Sequence, residues 1–307
     1  MTYLLDILPF LLEGLRVTLK IDHVTKAYGE HKALNDVTLS LSKGEVLAII
    51  GPSGSGKTSL LRMAANLETI DEGRILLDDA QITWANTVSK THPRIGYVFQ
   101  NFNLFLNLNV MDNIILGLVH TKGYSKKEAE DKALELLREF SLESKRNRYV
   151  SDLSGGEKQR IAIIRALALD PEILLFDEPT SALDPENVKE VQDAIKLLTD
   201  RSITIVLVTH EVRFAKQISD RLAFLDEGKL IIEGPTESVL KKQPERLKSF
   251  LNALAVQIRR GFKPLFIPPF MKTFLVLVSN WHYRTRVYIY AIMVYEIILG
   301  GIFLCIH

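Results

Sequence analysis

The 307-residue chain contains a single cysteine, Cys305. One thiol excludes an intramolecular disulfide framework and any cysteine cage for zinc or an iron-sulfur cluster, as befits a reducing cytoplasm. The seven histidines form no close-spaced ligand cluster. Net charge is missing too: 38 Lys and Arg stand against 37 Asp and Glu, leaving +1, so no global basic field exists to hold nucleic acid. Residues 1–21 are leucine-rich, but Asp6, Pro9, Glu13, Arg16 and Lys20 interrupt any run long enough to span a bilayer. The basic n-region of a secretory signal is absent as well. Without an internal repeat, a tandem pair of similar domains is not expected. Hydrophobic residues at 47% and charged residues at 24% exclude low-complexity and collagen-like chains and leave ample material for a core.

From about Asp22 to Arg260, short aliphatic runs alternate with helical periodicities, the βαβ rhythm of a largely parallel sheet. Val46-Leu-Ala-Ile-Ile50, Arg94-Ile-Gly-Tyr-Val-Phe99, Ile173-Leu-Leu-Phe176 and Ile203-Thr-Ile-Val-Leu-Val208 are short enough to be strands covered on both faces. Arg221-Leu-Ala-Phe-Leu225 and Lys229-Leu-Ile-Ile232 flank Asp226-Glu-Gly228, which predicts an antiparallel hairpin at one edge. Ser125 with Glu128 offers a capping box, and Asp184-Pro185 an N-cap followed by proline at the first helical position. Beyond Arg260 the texture changes, through Pro264, Pro268 and Pro269, to an apolar run from Val287 to Ile306 long enough to cross a membrane.

Gly51-Pro52-Ser53-Gly54-Ser55-Gly56-Lys57-Thr58 fits the phosphate-binding loop, and it stands between a predicted strand and a helical run that opens at Ser59. Glycines let successive N–H groups turn toward phosphate oxygens and the helix N-terminus adds a favourable dipole. Lys57 can reach the β and γ oxygens and the Thr58 hydroxyl can ligate Mg²⁺. A second element is the aliphatic strand ending in Asp177-Glu178, where alternation would aim one acid at the metal and the other at a water or the γ-phosphate. The third is Leu153-Ser154-Gly155-Gly156-Glu157, a serine and two glycines opening a helix, which implies a second anion contact.

Together these motifs resemble the nucleotide-binding subunit of an ATP-binding cassette (ABC) transporter over about residues 19–255. The resemblance implies an α/β fold of the P-loop NTPase class, an ABC-type ATPase with a mixed sheet core and an inserted helical subdomain at about 101–165. It also implies further roles. Leu153 to Glu157 would be the signature loop, Gln100 the Q-loop glutamine and a metal contact, Ser181-Ala-Leu-Asp184 the D-loop, His210 the switch histidine, and Tyr28 the ring that stacks on adenine. ATP and Mg²⁺ would be held by Lys57, Thr58, Gln100 and Asp177 of one copy and by Ser154, Gly155 and Gly156 of another, in a head-to-tail homodimer. Glu178 would act as general base, and His210 would steady the γ-phosphate.

Phe99-Gln-Asn-Phe-Asn-Leu-Phe105, Val208-Thr-His-Glu-Val-Arg-Phe-Ala215 and Glu245-Arg-Leu-Lys-Ser-Phe-Leu251 resemble the polar amino acid uptake branch. That implies an integral membrane permease as partner, a substrate-binding protein indirectly, no nucleic acid, and a peripheral position on the cytoplasmic face of a bacterial inner membrane. Two departures from the branch stand out: Glu157 replaces the usual Gln, and Thr58-Ser59 reverses the usual Ser-Thr order. Residues 1–21 are similar to the opening of a partner permease. The tail, 261–307, is a candidate membrane anchor, flanked by Arg284 and Arg286 and opposed by Glu296, in competition with a second apolar core segment and with degenerate coding sequence. A soluble ABC ATPase without a transport role is the competing reading. A catalytically dead cassette is disfavoured by Lys57, Asp177, Glu178 and His210.

Overall fold

The computed structural model describes residues 17–83, 94–201 and 203–261. The expected permease-like opening lies mostly, and the candidate anchor apart from Gly261, outside the described residues. Residues 1–250 form one compact unit and residues 251–307 another. Of the second, only helical residues 251–261 are described.

Among the described residues of the first unit there are two sheets. The antiparallel one has the order β2-β1-β4-β5, from β1 (Val17–Tyr28), β2 (His31–Ser42), β4 (Glu72–Leu77) and β5 (Ala80–Thr83). The other is mixed, in the order β10-β9-β3-β8-β7-β6, from β3 (Val46–Ile50), β6 (Ile95–Val98), β7 (Ile173–Asp177), β8 (Thr204–Val208), β9 (Arg221–Asp226) and β10 (Lys229–Pro235). Strand β1 begins at Val17, ahead of the body's expected start at Asp22, because Leu19 and Ile21 pair with both β2 and β4 and are buried. Strands β9, β3, β8, β7 and β6 are consecutive parallel neighbours, and β10 pairs antiparallel with β9 at the edge.

Every residue of β3, β7 and β8 is buried, as a parallel sheet covered on both faces requires. Alternation divides each strand between two apolar clusters. Ile173 and Leu175 pack with the antiparallel sheet and with α1 (Lys57–Ala64), whereas Leu174 and Phe176 pack on the other face. That opposite face is covered by α2 (Val110–Lys122), α3 (Lys126–Glu139), α4 (Gly155–Leu167) and α5 (Pro185–Thr199). Capping follows the local chemistry: Ser125 with Glu128, and Ser154 with Glu157, form reciprocal capping boxes, and Pro185 opens α5. Short helices α6 (Val212–Ile218) and α7 (Thr236–Lys242) follow β8 and β10, and α8 (Glu245–Gly261) is the last among the described residues. The β9/β10 hairpin turns through Glu227 and Gly228, both at positive φ, as a two-residue type I′ loop demands.

The parallel strands end at one edge of the sheet. The loops after β3, β6, β7 and β8 therefore converge there, where open α/β sheets hold ligands.

Candidate nucleotide-binding and hydrolysis site

Residues 51–56 form the turn between β3 and α1. Gly56, the N-cap of α1, has φ +98°, and a side-chain carbon there would meet the Ala33 carbonyl oxygen at 2.2 Å, so glycine is obligatory. At Gly54 such a carbon would meet nothing within 4 Å, which leaves the loop open on that side. Lys57 is buried, and its ammonium donates to the carbonyls of Gly51 at 2.9 Å and Pro52 at 2.8 Å, with Ser55 Oγ at 3.5 Å. Burial pushes its pKa down, opposed by the charges of Glu178 and Asp177.

The Thr58 hydroxyl donates to Asp177 Oδ1 at 2.8 Å, and the Tyr97 hydroxyl donates to Asp177 Oδ2 at 2.9 Å. Two oxygens from residues 119 apart in sequence thus stand together beside the loop lysine, a donor set suited to a hard cation. Glu178 does not continue β7. Its φ is +45°, its N–H bonds to the Val208 carbonyl at 3.0 Å, and this left-handed turn, rather than strand alternation, swings its carboxylate away from Asp177. The carboxylate lies 3.5 Å from His210 Nδ1. That contact lowers the Glu178 pKa and raises that of His210, in each case as the largest cause. Between the two loops runs a network absent from the sequence reading. Glu211 accepts from the Thr180 hydroxyl at 3.3 Å and from the Gln192 amide at 3.1 Å, and its own N–H bonds to Thr209 Oγ1 at 3.0 Å.

Lys57, Thr58, Asp177, Glu178 and His210 are therefore brought together. Tyr28 is exposed, its hydroxyl donating to Glu68 and lying 3.5 Å from Ser59 Oγ on α1. Ser53 and Gly54 face solvent and Ser55 is buried under the loop. Gln100 is exposed in the turn after β6, and among the described residues no hydrogen bond ties it to Thr58 or Asp177. Ser154, Gly155, Gly156 and Glu157 sit elsewhere, at the start of α4. Ser154 accepts from the Glu157 N–H, while Glu157 accepts from the Ser154 N–H at 2.9 Å and pairs with Lys145 at 2.9 Å. No hydrogen bond or ion pair among the described residues joins residues 154–157 to the phosphate loop. Of the residues that sequence reasoning missed, Tyr97 reads as core aromatic and Glu211 as an ordinary helix start. Only the fold reveals their partners.

A family model described as ABC transporter matches residues 34–181. The arginine transport ATP-binding protein ArtM of Bacillus subtilis (strain 168) is 45% identical over 238 residues, 77% of this chain and 99% of that protein. The chain belongs to the ABC transporter family. The glutamine transport ATP-binding protein GlnQ of Geobacillus stearothermophilus is 42% identical over 233 residues, 75% of this chain and 96% of its own length. Among solved structures, the dimeric, post-hydrolysis ATP-binding cassette MJ0796 bound to ADP and Pi is 35% identical, with a TM-score of 0.63 over 71% of this chain and 98% of its own. This cassette binds nucleotide and is an ATPase, and the loop from Gly51 to Thr58 lies inside the matched region.

Proposed function

We propose that this cassette is the ATP-hydrolysing subunit of an importer for polar amino acids, working as a head-to-tail pair on a separate integral membrane permease at the cytoplasmic face of a bacterial inner membrane. The observation that carries it is the meeting of Lys57, Thr58, Asp177, Glu178 and His210 at the carboxyl edge of the parallel sheet. The arginine and glutamine transport relatives supply the substrate class. A substrate-binding protein would act through the permease, without touching this chain.

ATP phosphates would lie over the loop from Gly51 to Ser59, with Lys57 leaving the loop carbonyls to bind the β and γ oxygens and Tyr28 stacking on the base. Mg²⁺ would be held by Thr58 and Asp177, with Gln100 approaching from the turn after β6. When bound, the ion neutralises charge on the phosphates. Among the described residues no group of three or more His, Cys, Asp or Glu could hold a metal ion. Glu178 orients the attacking water and takes its proton, and His210 holds that carboxylate in place from 3.5 Å. The signature residues Ser154, Gly155 and Gly156, remote from their own loop, would close on the other copy's nucleotide, carried there by a helical subdomain at about 101–165.

A groove of about 620 Å³, walled by Tyr97, Phe99, Phe105, Leu116, Arg165 and Leu169, fits a cytoplasmic helix of the permease. Phe105, half exposed, and the neighbouring Leu106, 74% exposed, offer apolar surface beside it. Among the described residues no helix is long and apolar enough to cross a membrane. The test is reconstitution with the co-purifying permease: transport should require ATP and stop with Glu178→Gln. Hydrolysis that is indifferent to every co-purifying membrane protein would count against the importer.

A further inference from the structure

The Tyr97 hydroxyl has no part in the reading above, yet the residue stands at the junction of two of its parts. Its ring walls the groove, and its hydroxyl points the other way, onto the Asp177 carboxylate at 2.9 Å. The residue is 9% exposed, and its ring leans on Phe99 with centroids 4.5 Å apart, directly before Gln100. Asp177 is itself buried, so each of its oxygens needs a donor, and the two donors come from different places: Thr58 on α1 and Tyr97 on β6. A carboxylate gripped at both oxygens cannot rotate about its last torsion. Remove the Tyr97 grip and Oδ2 loses its partner, leaving Oδ1 free to turn away from Thr58. Arg62 of α1, which also faces the Tyr97 hydroxyl, is a charged group whose long side chain reaches the tyrosine rather than replacing it.

We propose that Tyr97 is a positioning residue for the metal site, its hydroxyl holding Asp177 in the orientation that receives Mg²⁺ together with Thr58. The inference rests on the ATPase reading and deepens it.

The test uses the full chain and a fluorescent ATP analogue, titrated once with excess Mg²⁺ and once in EDTA. Tyr97→Phe keeps the ring, the groove wall and the Phe99 contact and removes one oxygen. The expected result is a loss of about tenfold in the gain of affinity that Mg²⁺ confers, with affinity in EDTA unchanged. In an Asp177→Asn background the same substitution should change the Mg²⁺ gain by less than about twofold, because the grip has nothing left to orient. A merely structural tyrosine would weaken both titrations alike and would act equally in both backgrounds, and either finding overturns the proposal. An unchanged Mg²⁺ gain in Tyr97→Phe overturns it too, while leaving the ATPase intact. Failure of the unaltered chain to bind the analogue under either condition would overturn the ATPase reading, and this proposal with it.

Discussion

Replacing Glu178 by Gln separates binding from chemistry, and the structure sets the size of each effect. The two side chains are nearly isosteric, and the φ of +45° is no easier or harder for Gln than for Glu, so the β7 turn should persist. Lys57, Thr58 and Asp177 keep every atom, and nucleotide affinity should stay within about threefold. Turnover loses a general base, worth about 100- to 10,000-fold. A smaller effect on stability accompanies it. Glu178 and His210 are 3.5 Å apart with 21% and 47% of their side chains exposed, so solvent screening limits the pair to about 1 kcal/mol or less. In a domain of this size that is roughly 2–4 °C in Tm. Its pH dependence follows from the two shifts. The lowered Glu178 pKa contributes stability above the ordinary carboxylate value and loses it as pH falls through the folded value. The raised His210 pKa contributes stability below the ordinary imidazole value and loses it as pH rises through the folded one. The Tm gap between the unaltered chain and the variant should therefore be widest at about pH 4.5–6.5 and shrink toward pH 8. Phosphate-release kinetics, nucleotide titration and melting curves across pH measure all three effects. Wild-type turnover in the variant, or a Tm gap that widens above pH 8, would refute the reasoning.

Gly56→Ala should abolish measurable nucleotide binding, because its new carbon meets the Ala33 carbonyl oxygen at 2.2 Å and the loop must move more than about 1 Å to relieve it. Titration with the fluorescent analogue reads the loss, and ordinary affinity would disprove the tight fit. Lys57→Ala should weaken binding far more than Tyr28→Ala, by about 100-fold against about tenfold, since one removes a buried cation from the phosphates and the other an exposed stacking face. Equal losses would contradict the roles assigned. Ser154→Arg should leave ATP binding by single copies intact while stopping hydrolysis. Mixed with Lys57→Ala chains it should yield dimers that capture nucleotide at one site only. Two equally competent sites in labelled-nucleotide counting would end the head-to-tail arrangement.

Features confined to a few neighbouring residues were legible in the chain alone. The phosphate loop announces itself because strand, glycines, lysine and helix start are contiguous, and their shape is set by backbone conformation over eight residues. The buried parallel strands, the Ser125 capping box and the Glu227-Gly228 turn were legible for the same reason: hydrophobic period and local hydrogen bonding decide them. The convergence of Lys57, Asp177 and His210 was accessible only through resemblance, since no local rule says that β3, β8 and β7 are adjacent. Tertiary structure alone decided the rest. The start of β1 at Val17 depends on pairing with both β2 and β4. The left-handed turn at Glu178 is held by a bond to Val208, thirty residues on, and its direction could not be read from strand alternation. Asp177 owes its orientation to hydroxyls 119 and 80 residues away, and Glu211 its bonds to partners 31 and 19 residues away. A side chain's chemical identity is written in the sequence, but which buried donor satisfies which buried acceptor is settled only when packing leaves no other partner within reach.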